Sequence, residues 1–301
     1  MSIFKNLILF MIFFITITPS VYGSSFEIIP LSEEMKQQMK NLGIWKKECP
    51  ISMDRLRIIK FTYYDFDKVE KENGQIVVLD AVSNRVLNIF KQLHKIKFPI
   101  AKAYPIEHYK GDDDQSMIDN NSSCYSCRFI TGNNNIPSIH SYGLAIDINP
   151  IQNPYITSKE QEENHIKILP NSGKEYINRN NILPGMVESV VEILKKNGFN
   201  DWGGMWIYPR PIDWQHFQLP RPLAQLLSVM TPTHGKEFFE MYTIAQSQIF
   251  HYGEYDPIET NKFVELYRKN PKKFMKIFKN RKNVFGMNTA EALKEIVISV
   301  G

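Results

Sequence analysis

The sequence predicts an α+β fold, on three observations. Residues 55–63, Arg-Leu-Arg-Ile-Ile-Lys-Phe-Thr-Tyr, are rich in the β-branched and aromatic side chains of a strand. Residues from Asp80 carry one apolar stripe at helical spacing, in Val82, Val86, Ile89, Leu93 and Ile96. Beyond Pro220 the pattern is helical to the end. Elements of both kinds suit a small antiparallel sheet with helices packed on one side.

The first 23 residues stand apart from that body. Lys5 precedes the apolar run Leu7 to Ile17, and Pro19, Ser20, Val21, Tyr22 and Gly23 form a small-residue exit, the three-part pattern of a secretory signal peptide cleaved near Gly23. The run is about 11 residues, shorter than the ~20 that a membrane span requires, which favours cleavage over an anchor. No later segment is long and apolar enough to span a bilayer. The mature protein is therefore expected to be secreted or periplasmic, without stable membrane insertion.

Residues 24–44 read as a helical lead-in, where Ser32 caps a short helix with Met35, Met39 and Leu42 on one face. A short strand, Ile76 to Leu79, precedes the helix at Asp80, and His94 falls off that helix's stripe toward solvent. Tyr109 to Pro137, with Asp112, Asp113, Asp114 and repeated Asn and Ser, reads as a long loop of functional length. In Leu144 to Asn149 the side chains alternate: Leu144, Ile146 and Ile148 face a core, while Ala145, Asp147 and Asn149 face a site. A helix from about Gly185 to Asn197 buries Met186, Val190 and Ile193 and stops at Gly198. Trp202 to Gln218 is extended, and helices follow over Glu237 to Phe250, Glu259 to Phe278 (interrupted at Pro271) and Thr289 to Val300.

Composition narrows the partners. An apolar fraction of 43% is ordinary for a packed core, and the net charge of +4 falls to +3 when Lys5 leaves with the signal, too little to point to nucleic acid. The basic run Lys272, Lys273, Lys276, Lys279, Arg281 and Lys282 reads as a solvated helix face, with contact to an anionic envelope surface as the alternative. Of the three cysteines, Cys124 and Cys127 have C-x-x-C spacing, but no strand-then-helix context supports a redox motif, so structural bridging is favoured.

Two segments carry the chemistry: Ser138-Ile-His140-Ser-Tyr-Gly143-Leu-Ala-Ile-Asp147 and Asp213-Trp-Gln-His216-Phe217. They supply two imidazoles and a carboxylate, which suits zinc with a fourth position open for water. Residues seven apart point to opposite faces of an unbroken strand, so His140 and Asp147 converge only if the chain bends, and Gly143 provides the bend. Asp213 and His216, three apart, likewise cannot share a face of a regular strand, and Pro209 and Pro211 oppose a long helix there, so an irregular turn is required. Spacing alone leaves surface or core roles open, since the chain has 7 histidines and no H-E-x-x-H.

These segments resemble the family of D-alanyl-D-alanine carboxypeptidases and related L-alanyl-D-glutamate endopeptidases, with the signature S-x-H-x-x-G-x-A-x-D followed by [DE]-x-x-H-F. Ser138, His140, Gly143, Ala145 and Asp147 fill the first; Asp213, His216 and Phe217 fill the second. Further matches run through Cys49-Pro50, Asn120 to Ser123, Cys127-Arg128, Asn149-Pro150, Asn153-Pro154-Tyr155, Gly198-Phe199 and Trp202-Gly203-Gly204. The resemblance implies a hedgehog-type fold with a zinc peptidase domain over 45–220, flanked by the lead-in 24–44 and a helical extension over 221–301. It also implies one Zn2+ per chain held by His140, Asp147 and His216, Asp213 as general base, Arg128 on the oxyanion, and stem peptides of peptidoglycan as substrate. Ser138, Tyr142, Trp202 and Trp206 are the candidate substrate-binding residues, with Tyr155 beside them. Many relatives carry Glu where this chain has Asp213, and the shorter arm points toward the endopeptidase-like branch. The resemblance pairs Cys49 with Cys127 and leaves Cys124 free, against a local bridge between Cys124 and Cys127. A zinc-stabilised binding module without turnover, as in the hedgehog signalling domain, is the alternative; Asp213 and Arg128 favour catalysis.

Overall fold

In chain order the elements are β1 (Phe26–Pro30), α1 (Glu33–Asn41), β2 (Leu56–Tyr64), β3 (Glu70–Leu79), α2 (Ser83–Lys95), α3 (Asp113–Ile118), β4 (Phe129–Ile130), β5 (Asn133–Pro137), β6 (Ala145–Asp147), β7 (Tyr155–Ser158), β8 (Ile166–Leu169), α4 (Val191–Lys196), β9 (Asp201–Trp202), β10 (Ile212–Asp213), β11 (His216–Gln218), α5 (Arg221–Val229), α6 (Pro232–Ile244), α7 (Pro257–Lys269), α8 (Pro271–Asn280) and α9 (Thr289–Val300). This is an α+β architecture of small antiparallel sheets with packed helices. The computed structural model describes residues 25–130, 133–158, 166–207, 210–245 and 257–300. The expected signal segment, Pro209 and the 246–250 end of one expected helix lie outside them. Among the described residues no helix is long and apolar enough to cross a membrane.

The first sheet has the order β1-β2-β3 and packs on α2. Phe61 of β2 stacks on Phe90 of α2 at 3.7 Å between ring centroids, and Val86, Ile89 and Leu93 are buried alongside. The stripe expected on this helix ends sooner than its spacing suggests: Ile96 caps the helix C-terminus and is 54% exposed, and Phe90 takes the core position instead. His94 is also better covered than expected, because Tyr64 stacks on it and Glu70 binds its Nε2 at 2.6 Å.

The lead-in is not wholly helical. Phe26–Pro30 pairs antiparallel with β2, and α1 follows with Ser32 as its cap, the hydroxyl accepting from the Met35 amide. The long polar segment after Tyr109 is not all loop either. Asp112 caps α3 by accepting from the Gln115 amide, and β4 pairs antiparallel with β5.

The second three-stranded sheet, β6-β11-β9, lies at the heart of the motif region. Its middle strand puts His216 opposite Asp147, Phe217 opposite both Ile146 and Trp202, and Gln218 opposite both Ala145 and Asp201. A third sheet, β10-β7-β8, sets Asp213 opposite Tyr155.

The C-terminal helices extend the same apolar core. Phe238, Phe239, Phe274 and Phe278 are fully buried, while Lys272, Lys273, Lys276 and Lys279 line the exposed face of α8, the solvated reading of that basic run. A buried ion pair ties the two parts together. Arg55 binds Asp80 through two bonds of 2.7 and 2.8 Å and donates to the carbonyl of Met230 at 2.6 Å.

Candidate metal centre

The local backbone brings His140 and Asp147 together through the bend at Gly143. Ser138 caps a 3-10 turn over Ile139–Tyr142, and Gly143 ends it with φ +65° before β6 begins. A Cβ at Gly143 would sit 2.7 Å from the Leu79 amide nitrogen, so this position requires glycine for space as well as for conformation. The second segment turns as expected: β10 ends at Asp213, Trp214 and Gln215 form a turn, and β11 starts at His216. Gly203 clears the way for Asp213, since a Cβ there would lie 2.2 Å from the Asp213 carbonyl oxygen.

The result is a buried cluster of three residues whose donor atoms all lie within 4.8 Å of one another. His140 Nε2 is 3.2 Å from His216 Nδ1 and 3.1 Å from Asp147 Oδ2, and His216 Nδ1 is 2.9 Å from Asp147 Oδ1. Zinc with ligands at about 2.0–2.1 Å in a tetrahedral shell spaces its donors by about 3.3 Å, so the donor triangle has the right size.

The outer nitrogens decide which atoms face inward. His140 Nδ1 donates to the carbonyl of Cys124 at 2.5 Å, and His216 Nε2 donates to the Gln218 side-chain oxygen at 2.8 Å. Both outer partners accept only, so each neutral ring carries its proton outside and turns a lone pair toward Asp147. Two lone pairs and a carboxylate turned toward one another make a donor set for a cation, a place that a proton or a metal ion can take. The same attraction shows in the titration of the groups. Burial alone would lower the His216 pKa, yet its bond to Asp147 raises it to about 9. Burial alone would raise Asp147, yet the two imidazoles hold it well below the usual carboxylate range. The donor set therefore fits zinc.

Asp213 stands at the edge of this cluster. Its carboxyl is pushed up to about 7, chiefly by burial and further by the Asp147 charge, with His216, Gln215 and Arg128 opposing. Its Oδ1 is buried and has no hydrogen-bond partner among the described residues. Arg128 is held on every side but one. The disulfide joining Cys49 and Cys127 fixes the residue before it, the Ser141 hydroxyl accepts from its amide at 2.9 Å and donates to its carbonyl at 2.5 Å, and its Nη2 binds Asp113 at 3.1 Å. Its Nε is buried without a hydrogen-bond partner among the described residues. Cys124 is the free, buried thiol.

The four candidate substrate-binding residues divide sharply. Ser138 is spent on capping; Tyr142 is 5% exposed, and Trp202 lies stacked on Phe217 with its indole N–H donating to the Trp214 carbonyl. These three are buried. Trp206 alone is half-buried, with its ring 5.3 Å from that of His216. Tyr155, also half-buried, lies opposite Asp213. Sequence reasoning missed Asp113, Ser141, Gln218 and Asp201. Gln218 was within reach, since it lies two residues after His216 on a strand and must share its face.

Neither the curated proteins nor the solved structures gave a match to this chain. A family model does match: residues 131–219 are similar to the D-alanyl-D-alanine carboxypeptidase family, and the matched segment carries all three candidate ligands together with Asp213, though not Arg128 or the disulfide.

Proposed function

We propose that this protein is an exported zinc peptidase that hydrolyses the stem peptides of the bacterial cell wall. The observation that carries the reading is the pair of outward-locked imidazoles converging with Asp147, with Asp213 Oδ1 and Arg128 Nε each buried and without a hydrogen-bond partner among the described residues. His140 Nε2, His216 Nδ1 and Asp147 are the ligands. Zinc held there supplies Lewis acidity, lowering the pKa of water toward about 7 and polarising a peptide carbonyl.

The chain's own groups do the rest. Asp213, poised near neutrality by its burial, takes the proton of the attacking water and passes it to the leaving amine. Arg128 offers its guanidinium to the carbonyl oxygen as negative charge develops there, and the anchoring of its backbone reduces the reorganisation this needs. Trp206, half-buried with its ring 5.3 Å from that of His216, is the accessible aromatic contact for the substrate. The disulfide suits an oxidising, extracytoplasmic setting.

The test is incubation of the zinc-loaded protein with muropeptides and identification of the products by mass spectrometry. Cleavage is expected at L-Ala-D-Glu or at the terminal D-Ala-D-Ala, and the fragment masses say which. Asp213→Ala should keep its zinc and lose about 10²–10⁴-fold in turnover. A fully zinc-loaded protein that binds muropeptides but releases no fragment would establish the binding module instead.

A further inference from the structure

We propose that Gln218 and Asp201 form a polar relay that selects the tautomer of His216 and thereby its capacity to hold the metal, a role that rests on the ligand set proposed above. The sheet builds the relay directly. His216 and Gln218 are two apart on β11 and share a face, with Asp147 opposite the first and Asp201 opposite the second. His216 Nε2 lies 2.8 Å from Gln218 Oε1, and Gln218 Nε2 lies 2.8 Å from Asp201 Oδ2.

The polarity of this chain of bonds is set at its far end. A carboxylate can only accept, so the amide of Gln218 must turn its NH2 toward Asp201 and its oxygen toward His216. That oxygen can only accept in turn, so the His216 proton sits on Nε2 and the Nδ1 lone pair faces His140 and Asp147. Asp201 is itself buried and receives two further donors, the Trp206 indole at 2.5 Å and Arg210 Nη2 at 3.1 Å. Arg210 also stacks on Trp206, its guanidinium carbon 3.7 Å from the ring centroid. Asp201 and Gln218 are positioning residues, and Asp201 ties the half-buried Trp206 to the partner of His216.

The test is zinc affinity, measured by competition with a chelating dye, in variants whose folding is checked by thermal melting. Asp201→Asn removes the obligate acceptor, so Gln218 is free to present its NH2 to His216 and favour the tautomer that cannot ligate through Nδ1. Affinity should fall about 10–100-fold, the usual cost of losing such an outer partner. Adding Gln218→Glu to Asp201→Asn reverses the polarity of the pair and again places an acceptor against His216, so affinity should recover to within a few-fold of the parent. If Asp201→Asn does not fold, Gln218→Met carries the test and should show the same loss. Parental affinity in Asp201→Asn, or in Gln218→Met, would overturn the relay, as would a folded double variant no better than Asp201→Asn. A parent protein that binds no zinc would overturn the ligand set instead.

Discussion

Glu107 is a residue whose location costs the protein stability. It is 7% exposed, and neither carboxylate oxygen has a hydrogen-bond partner among the described residues. Burial pushes its pKa from 4.5 to about 7. The folded chain therefore holds this proton more tightly than the unfolded chain. Its contribution is most favourable below the unfolded value and is lost as pH rises through the folded one. A shift of that size corresponds to roughly 3 kcal/mol. Glu107→Gln should thus be more stable than the parent at pH 8, by up to about 3 kcal/mol, and nearly equal to it at pH 4. Urea unfolding at the two pH values checks this, and an equal difference at both would refute it. Nothing in the sequence around Glu107 marks it, because its burial comes from elements far away along the chain. His140, Asp147, Asp213 and His216 were legible because their motif fixes both residue type and spacing.

Among the elements, the turn that ends at Gly143 does the most to place the site. Gly143→Ala forces a Cβ into a left-handed conformation costing roughly 1–2 kcal/mol, and adds a contact 2.7 Å from the Leu79 amide nitrogen. We expect a stability loss of about 2 kcal/mol or more together with weaker zinc binding, since His140 and Asp147 flank the turn. A variant with the parental melting temperature and zinc affinity would contradict this. The bend was readable because an opposite-face pair that must converge has to have a break between its members. The helix α3 was not, for its six residues are too short to show an apolar period; its only signal was Asp112 as a cap. α5 and the start of α6 fall in the stretch beyond Pro220 that reads as helical, though without bounds of their own. Pro222 and Pro232 each sit in a first turn, where the missing N–H has no helical partner to lose.

Taken together, the N-terminal sheet, the strands that carry His216 and Asp147, and the C-terminal helices share a continuous core. The Cys49–Cys127 bridge closes a separation of 78 residues, for which chain entropy gives roughly 4 kcal/mol. α5 and α6 add Leu223, Leu226, Leu227, Phe238 and Phe239 to the interior, and Arg55 binds the Met230 carbonyl from the far side. Truncation at Pro220 should therefore leave a chain that aggregates or melts far below the parent. An independently stable fragment with parental zinc affinity would show that the extension is dispensable to the fold. The expected division at residue 220 follows the end of the motif region, and the contacts across it were invisible in sequence because they join residues more than 150 positions apart. The proposed metal centre depends on all of this packing, and zinc content is the most direct thing to measure. Elemental analysis of the purified protein should find one zinc per chain, with His140→Ala and His216→Ala both losing it; stoichiometric zinc retained in both variants would contradict the assignment of the site.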